Sequence, residues 1–366
     1  MAVAAPGGRI NLKDAMGMRA ARNPGPCRRR GPPIDSLGLI AEEEINVKNR
    51  RMVAACVAAL AAASLPLAAG AAEVKLKAAS FLPVRSIVAK QFVRFVEETN
   101  RQCDGKVEIG IVGPEAVPSL EQWNAVKNGV VDMHYGPANY WRGAVPAGDV
   151  ISVARIESAE QRANGAWAMI NEEYNRKLNA YYLTHLFNGV RFHLYTTKPA
   201  KDGKFEGMRL RSVPIYDAFF RSLGAQPVRM APPDVYTALE RNTVEGYGWP
   251  LWGIQDFGWD KYTRFRHDPG FISAAVAVLV NLDRWKGLAA EQRDCLTRMS
   301  IWVEREWPKW RADEDAVQKA AQAKSGVRTV DMGADFALRA EEIYWQDLAK
   351  GDPEFVRKIR PLLSGK

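Results

Sequence analysis

An internal repeat in the order of strand and helix patterns constrains the fold more than any other feature of the sequence. Residues 73–136 and 207–248 each read as strand, helix, strand, helix, strand. An offset of 113 residues lays Trp123 on Tyr236 and Pro137 on Pro250. Such alternation is typical of layered α/β domains with a largely parallel sheet. The sequence therefore predicts two similar α/β lobes.

The segments that end the two copies are expected to face each other across a cleft between the lobes. They are "HYGPANYW" at 134–141 and "GYGWP" at 246–250. Both are interpreted as loops, because glycine permits a bend and proline ends a helix or a ladder. Ligands in open α/β sheets bind beyond the carboxyl ends of the strands. Tyr247 and Trp249 are therefore candidates for ligand contact, and Gly248 for a close approach of ligand to backbone.

The N-terminal residues do not read as part of this fold. Residues 1–46 mix Gly, Pro and Arg runs without an apolar period, which is typical of disorder or of a translation start assigned too far upstream. A basic start, an apolar stretch and small residues then indicate a secretory signal peptide, with a membrane anchor as the alternative. The expected organisation is a signal peptide at 47–72, lobe 1 at 73–195, lobe 2 at 196–272, and a return to lobe 1 with C-terminal helices at 273–366.

Charge and cysteine content exclude some classes of function. After residue 72 the chain has 41 Lys and Arg against 37 Asp and Glu, a net charge of +4 with no basic run. This does not indicate a nucleic-acid partner. Cys103 and Cys295 remain, and their pattern leaves open whether they form a disulfide. The histidines lie far from them in sequence, so no metal or other cofactor is expected.

Capping residues predict where three helices begin. They are Ser86, the pair Ser119 and Gln122, and the pair Ser158 and Gln161. The third helix, residues 157–180, is long and lies between the lobes. The tail from about residue 287 to 363 is helical and rich in tryptophan, and its tryptophans are expected to pack rather than to contact ligand.

No catalytic motif stands out, since GxSxG, HExxH, a phosphate loop and paired CxxC are all missing from the sequence. Asp132 and Glu245 hold equivalent places in the repeat, which favours a shared structural role over an acid/base pair. Arg191 and Arg211 lie near strand ends, and a guanidinium can hold a carboxylate by two parallel hydrogen bonds. A binding protein is thus predicted, and a secreted enzyme acting on a carboxylated substrate is the alternative.

The segment "GMRLRSVPIYDAFFRSLGAQPVRMAPPDVYTALERNTVEGYGWP", residues 207–250, resembles the signature region of the substrate-binding proteins of tripartite ATP-independent periplasmic (TRAP) transporters. The resemblance extends from residue 73 to about 350. It implies a two-lobed periplasmic binding protein with a hinge, which closes on an organic acid and delivers it to integral membrane subunits. A solute receptor for an ATP-driven importer or a sensor is a further alternative.

The resemblance also implies roles for particular residues. An arginine at the position of Arg211 binds the ligand carboxylate, and in some members a second one, at Arg191, assists. Much of the family has Gln-Glu-Asn where this chain has Tyr247-Gly248-Trp249. An indole in place of an amide favours a monocarboxylate with an apolar or aromatic body over C4-dicarboxylates and sialic acid. The other candidates for ligand contact are Phe187, Tyr135, Asn139, Tyr140 and Glu115.

Overall fold

The computed structural model describes residues 72–200 and 204–365, which form two β-sheets with helices around them. The strands are β1 (Val74–Ser80), β2 (Val107–Val112), β3 (Met133–Pro137), β4 (Ala180–Leu186), β5 (Arg191–Thr196), β6 (Arg209–Ser212), β7 (Gln226–Arg229), β8 (Gly246–Pro250), β9 (Phe265–Ser273), β10 (Val276–Asn281) and β11 (Arg328–Asp331). The helices are α1 (Ile87–Gln102), α2 (Gln122–Lys127), α3 (Ser158–Ala163), α4 (Ala166–Leu178), α5 (Asp217–Ser222), α6 (Val235–Glu240), α7 (Leu282–Gly287), α8 (Ala290–Lys324), α9 (Asp335–Gly351) and α10 (Pro353–Leu363).

Both sheets contain the same core of three parallel strands. The first sheet has the order β2-β1-β3-β10-β4 and the second β11-β9-β5-β8-β6-β7. In each, the central strand of the parallel set, β1 or β6, pairs with two neighbours. Antiparallel strands then extend the sheet, β10 beside β3 and β5 beside β8. The predicted two-lobed α/β fold is confirmed, although its sheets are mixed rather than largely parallel.

The repeat that the sequence predicts is present in the structure. The offset of 113 residues carries α2 onto α6 and β3 onto β8, residue for residue. Asp132 precedes β3 and accepts a hydrogen bond from the Lys77 N–H of β1 at 2.8 Å. Glu245 precedes β8 and accepts one from the Arg209 N–H of β6 at 3.1 Å. The shared role of these carboxylates is therefore structural: each fixes the start of the repeated strand.

The segment "GYGWP" is a strand, so its prediction as a loop is wrong. It forms β8, which is hydrogen-bonded on one side to β5 and on the other to β6. Neither of its glycines has a positive φ. A Cβ at Gly246 would collide with the Tyr195 carbonyl oxygen, and one at Gly248 would lie 2.9 Å from the Tyr216 ring and 3.0 Å from the Phe220 ring. Close packing, rather than a bend, requires glycine here.

Helix starts agree with the sequence only in part. Ser86 caps α1 as predicted, since its hydroxyl accepts the Ala89 N–H. The other two capping boxes are wrong, because the hydroxyls of Ser119 and Ser158 bond to groups outside their helices. The helix expected at 157–180 is divided into α3 and α4, and Gly165 between them has a φ of +89°.

The longest of the described helices is α8, with 35 residues, and it connects the two lobes. Near its start Cys295 forms a disulfide with Cys103, which follows α1. Near its end Gln322 donates a hydrogen bond to the Tyr195 hydroxyl in β5 at 3.0 Å. The disulfide that the sequence leaves open is thus formed, and the helix between the lobes is α8.

The C-terminal region is helical as predicted, with one exception. The short strand β11 at its middle pairs with β9, and it has no alternation of apolar residues that would reveal it. Of the four tryptophans in this region, three are buried and Trp302 is half-buried. Trp307 donates its indole N–H to the Asn188 carbonyl at 2.8 Å. None of the four lines the cavity described below.

The chain passes from the first sheet to the second between β4 and β5, at residues 187–190, and returns between β9 and β10. It crosses again through α8 to β11 of the second sheet, so the expected return to lobe 1 at 273–366 holds only in part. The boundary expected at 195/196 therefore falls inside β5, whereas the one at 272/273 falls at the end of β9. Residues 1–46 and almost all of the predicted signal peptide lie outside the described residues. Within the described part, no helix has both the length and the apolar character that a bilayer crossing requires.

Candidate ligand-binding site

A cavity lies between the sheets, beyond the carboxyl ends of their parallel strands. Phe81 after β1, and Asn139 and Tyr140 in the 3₁₀ turn after β3, form one part of its wall. The segment "HYGPANYW" is thus the end of β3 plus this turn rather than a loop throughout. Arg211 in β6 and Trp249 in β8 form another part. The space between these walls, including its opening to solvent, is about 480 Å³.

Arg211 is a buried cation with an unused hydrogen-bond donor. The residue is 1% exposed. Its Nε donates to the Met230 carbonyl at 3.2 Å, and its Nη1 donates to the Gly248 carbonyl at 3.2 Å and to the Tyr216 hydroxyl at 3.0 Å. Nη2 has no partner among the described residues. Because buried polar groups normally find partners, this donor is suited to an anionic ligand.

Trp249 presents its ring, and not its N–H, to the cavity. The indole Nε1 donates to the Trp252 carbonyl at 2.9 Å. The ring packs against Trp259, with centroids 4.8 Å apart, and against Phe257 at 5.6 Å. The Arg211 guanidinium carbon lies 5.5 Å from the Trp249 ring centroid, within the range of a cation–π contact. The indole N–H is therefore already bonded within the protein, and the apolar face of the ring is what remains for a ligand.

Two tyrosine hydroxyls lie near the Arg211 guanidinium. Tyr216 accepts from Arg211 and donates to the Gly248 carbonyl at 3.1 Å. Burial raises the pKa of Tyr216 to about 12, against the lowering effect of the nearby arginine. Burial likewise raises the pKa of Tyr140, and Arg211 opposes that shift too. Both phenols are therefore neutral, and the positive charge of Arg211 is not cancelled by them.

Ser152 brings a buried carboxyl group close to the cavity. It belongs to the 3₁₀ segment Gly148–Val153, lines the cavity, and donates its hydroxyl to Asp149 Oδ1 at 3.0 Å. Asp149 is fully buried, and its Oδ2 has no partner among the residues described. Burial raises the pKa of Asp149 to about 7, although the charge of Arg142 acts in the opposite direction. Ser152 therefore links this carboxyl to the cavity wall.

Three predicted site residues do not line the cavity. The Tyr247 ring stacks on Tyr195 at 5.1 Å and its hydroxyl bonds to Thr263 at 2.6 Å. The Tyr135 hydroxyl donates a hydrogen bond to the Val88 carbonyl of α1 at 3.0 Å, and the residue is fully buried. The Gly248 carbonyl oxygen accepts a hydrogen bond from Arg211, and Gly248 does not line the cavity.

Arg191 and Glu115 also lie apart from Arg211. Nε and Nη2 of Arg191 both donate to the Gly270 carbonyl, at 3.1 and 2.8 Å. Burial lowers the pKa of Arg191, which lines a separate surface cavity together with Glu341. Glu115 is exposed and accepts the N–H of its neighbour Gly113. The structure does not bring these two residues together with Arg211.

Phe187 lines the cavity and lies where the chain crosses between the sheets. It has a φ of +72°, which is rare for a bulky side chain. Its ring contacts Trp252 and Trp307 at centroid distances of 5.0 and 5.2 Å. The backbone conformation at this crossing is therefore fixed by the same side chain that faces the cavity.

Tyr216 and Ser152 line the cavity but are absent from the residues expected from the sequence. Tyr216 stands five residues after Arg211, in the turn that directly follows β6, so strand-end spacing would have identified it. Ser152 gives no such signal, because its segment has no apolar period and folds as a 3₁₀ helix.

Residues 78–343 match the family model described as bacterial extracellular solute-binding protein, family 7. The chain belongs to this family. Family 7 consists of solute receptors, so the prediction of a binding protein rather than an enzyme is confirmed. The resemblance to TRAP substrate-binding proteins is confirmed as well.

Two curated relatives show how far the sequence similarity extends. The family 7 chain is 22% identical to a solute-binding protein of Roseobacter denitrificans over 250 residues, which cover 66% of this chain and 75% of that protein. It is also 22% identical to the 2,3-diketo-L-gulonate-binding periplasmic protein of Escherichia coli over 221 residues, 57% of this chain and 66% of the relative.

Solved structures share the fold over most of the chain. A TRAP periplasmic solute-binding protein of Roseobacter denitrificans with bound L-galactonate superposes with a TM-score of 0.67 at 17% identity, covering 80% of this chain and 99% of that one. An extracytoplasmic solute receptor of Bordetella pertussis that binds pyroglutamic acid gives 0.69 at 15% identity, covering 79% and 99%. At these identities the similarity establishes the two-lobed fold alone.

Proposed function

We propose that this family 7 protein is a periplasmic receptor that binds an organic acid for a TRAP transporter. The observation that carries the proposal is Nη2 of Arg211, a buried charged donor without a protein partner on the wall of a cavity between two lobes. A carboxylate supplies both the acceptor and the counter-charge. A buried donor left unpaired costs about 1–3 kcal/mol, so carboxylate binding is favoured by removing that cost.

The cavity wall favours one carboxylate on an apolar or aromatic body. Arg211 is the only cation among the described residues that line it, since Arg191 is held by Gly270 elsewhere. A second ligand carboxylate would be buried without a counter-charge, which is costly. Phe187 and Trp249 offer ring surfaces for the rest of the ligand.

The ligands named with three related proteins share the single carboxylate but not the apolar body, and the one named with a fourth is a phosphate ester. L-Galactonate, pyroglutamic acid and 2,3-diketo-L-gulonate are named for three of them. Each of these acids carries a single carboxylate. Their bodies differ from one another, so the preference for an apolar body rests on the aromatic wall of this chain.

Export and delivery complete the proposal. Residues 47–72 have the pattern of a signal peptide, so periplasmic extract should contain a mature form that begins near Ala72 or Glu73. A ligand that contacts both walls shifts the lobes toward their closed arrangement, because only differential contact moves such an equilibrium. The closed receptor would then deliver the acid to the integral membrane subunits.

A thermal-shift panel of organic acids tests the proposed function. A ligand at a hundred times its dissociation constant stabilises a protein by about 2.7 kcal/mol, so one or more monocarboxylates should raise the melting temperature. Dicarboxylates of similar size serve as the matched comparison. Stabilisation by dicarboxylates alone would contradict the assigned ligand class, and recovery of a converted product over many turnovers would favour an enzyme.

A further inference from the structure

The cavity wall carries a buried acceptor that the protein itself does not use. Asn139 is 3% exposed and lines the cavity, and its Oδ1 has no hydrogen-bond partner in the described part of the chain. The turn that contains it is held by its backbone, since the Arg142 N–H bonds to the Asn139 carbonyl oxygen. The amide caps no helix. Neither turn formation nor capping therefore explains a buried amide at this position.

Ser152 provides a second acceptor on the same wall. A hydroxyl has one hydrogen and two acceptor lone pairs. The hydrogen of Ser152 is directed to Asp149 Oδ1 at 3.0 Å, so the lone pairs remain for a group in the cavity. Asp149 itself is fully buried behind Ser152. The cavity thus combines one free cationic donor, on Arg211, with two free acceptors.

We infer that the ligand carries a hydroxyl or N–H donor in addition to its carboxylate, and that Asn139 Oδ1 and Ser152 Oγ accept hydrogen bonds from it. This rests on the proposed function, in which Arg211 holds the carboxylate. A plain carboxylic acid would satisfy Arg211 but leave Asn139 Oδ1 buried and unpaired and the lone pairs of Ser152 Oγ unused. A hydroxy acid, or an acid with an N–H group, can satisfy all three.

Selectivity for the extra donor follows from the burial of these acceptors. A site that hydrogen-bonds a ligand hydroxyl rejects the analogue without it, because its own polar group is then left unpaired. An apolar pocket discriminates much more weakly between ligands that differ by one small group. We therefore expect a preference of at least about tenfold for the acid with the donor.

Matched acids that differ only in a 2-hydroxyl test the inference. The pairs are lactate and propionate, 2-hydroxy-4-methylpentanoate and 4-methylpentanoate, and mandelate and phenylacetate. Titration calorimetry on the mature protein should show the hydroxy acid binding at least about tenfold more tightly in any pair that binds. Asn139→Leu should reduce this ratio to about twofold by weakening the hydroxy acid alone, and Asn139→Ala should do the same. Asn124→Leu, an exposed amide on α2, is the control.

Several outcomes would overturn the inference. Equal affinities for the two acids of every pair would overturn the inference. The proposed function would remain intact, provided that binding still depends on Arg211. Equal weakening of both members of a pair by Asn139→Leu would mean that the amide only supports the turn. An unchanged ratio in Ser152→Ala would remove that residue from the inference. Failure of all six acids to bind would overturn the proposed function as well.

Discussion

Asp256 Oδ2 accepts a hydrogen bond from the backbone N–H of Ile87 at 2.6 Å, and the two residues belong to different lobes. Ile87 is the first residue of α1, which follows β1 of the first sheet, whereas Asp256 follows β8 of the second. A carboxylate at a helix N-terminus is favoured by the free N–H groups and by the helix dipole. Because the contact spans the cleft, separation of the lobes would break it.

We expect Asp256→Ala to weaken ligand binding without touching the ligand. Loss of a carboxylate at a helix N-terminus costs about 0.5–2 kcal/mol. Here the loss destabilises the arrangement in which the two lobes are in contact, and not the separated one. Affinity for the best acid should drop about threefold to tenfold. Titration calorimetry measures this, and Asp313→Ala, an exposed carboxylate on α8, is the control. Unchanged affinity with lowered thermal stability would show that the contact stabilises both arrangements equally.

Arg211→Ala should abolish most carboxylate binding. Charge-assisted hydrogen bonds contribute roughly 1.5–3 kcal/mol, and a carboxylate desolvated without its partner costs more. A loss of at least about a hundredfold is expected. Arg211→Lys should also lose most affinity, because an ammonium lacks the planar fork and cannot keep the bonds to Met230 and Gly248 together.

The parallel variant Arg191→Ala provides the comparison for Arg211. Nε and Nη2 of Arg191 both donate hydrogen bonds to the Gly270 carbonyl, and Arg191 does not line the cavity that Arg211 lines. Its loss should reduce stability more than affinity. A large loss of affinity in Arg191→Ala, measured by the same titration, would mean that the second arginine contacts the ligand after all.

The order of elements could be predicted from local patterns in the sequence, and the position of Arg211 on the cavity wall from its strand end together with the resemblance to TRAP substrate-binding proteins. The offset of 113 residues aligns α2 with α6 and β3 with β8. The periodicity of apolar residues predicts these elements without knowledge of how they pack. Arg211 stands at a strand end, where ligands of α/β sheets bind. Its contacts with Tyr216 and Gly248 then depend only on neighbouring segments.

The sequence could not predict which side chains of β8 line the cavity, because this depends on how far each residue lies from the end of the strand. Tyr247 and Trp249 share one face of the strand by the alternation of side chains. Only Trp249 reaches the cavity, while Tyr247 is covered by Tyr195 one strand away. Arg191 likewise begins a strand at the correct edge of the sheet, yet its guanidinium turns to Gly270. Such choices are made by tertiary contacts with distant segments.

The buried Asp149 predicts a stability that falls as pH rises. Burial raises its pKa from 3.8 to about 7, so the folded protein favours the neutral carboxyl. The stability that this group contributes is therefore present below about pH 4 and is lost as pH rises toward 7. The difference amounts to about 4 kcal/mol at most. Asp149→Asn cannot ionise, so its stability relative to the parent should be about 3 kcal/mol greater at pH 8 than at pH 4.5, where about 1 kcal/mol of the effect is already present.

Urea unfolding of parent and variant at both pH values measures this difference. Buried His134, His185 and His267 have lowered pKa values because of burial, so they destabilise the fold as pH falls below about 6.5. Parent and variant contain the same histidines, so the effect of these histidines on stability cancels when the two proteins are compared. A stability difference of the same size at pH 4.5 and pH 8 would rule out ionisation of Asp149 as its cause.

Trp249 should set the preference for the body of the ligand. Trp249→Asn removes the ring face and should weaken mandelate by roughly 1–3 kcal/mol while leaving lactate unchanged or improved. The substitution also opens a space beside Trp259 and frees the Trp252 carbonyl, so stability should fall and the informative quantity is the ratio of the two affinities. Trp249→Phe keeps an aromatic face but loses the N–H, and its ratio should stay near that of the parent. Titration of both variants with both acids decides the point: equal losses for mandelate and lactate would mean that the indole only supports the strand, since a selective wall must distinguish an aromatic body from a methyl group.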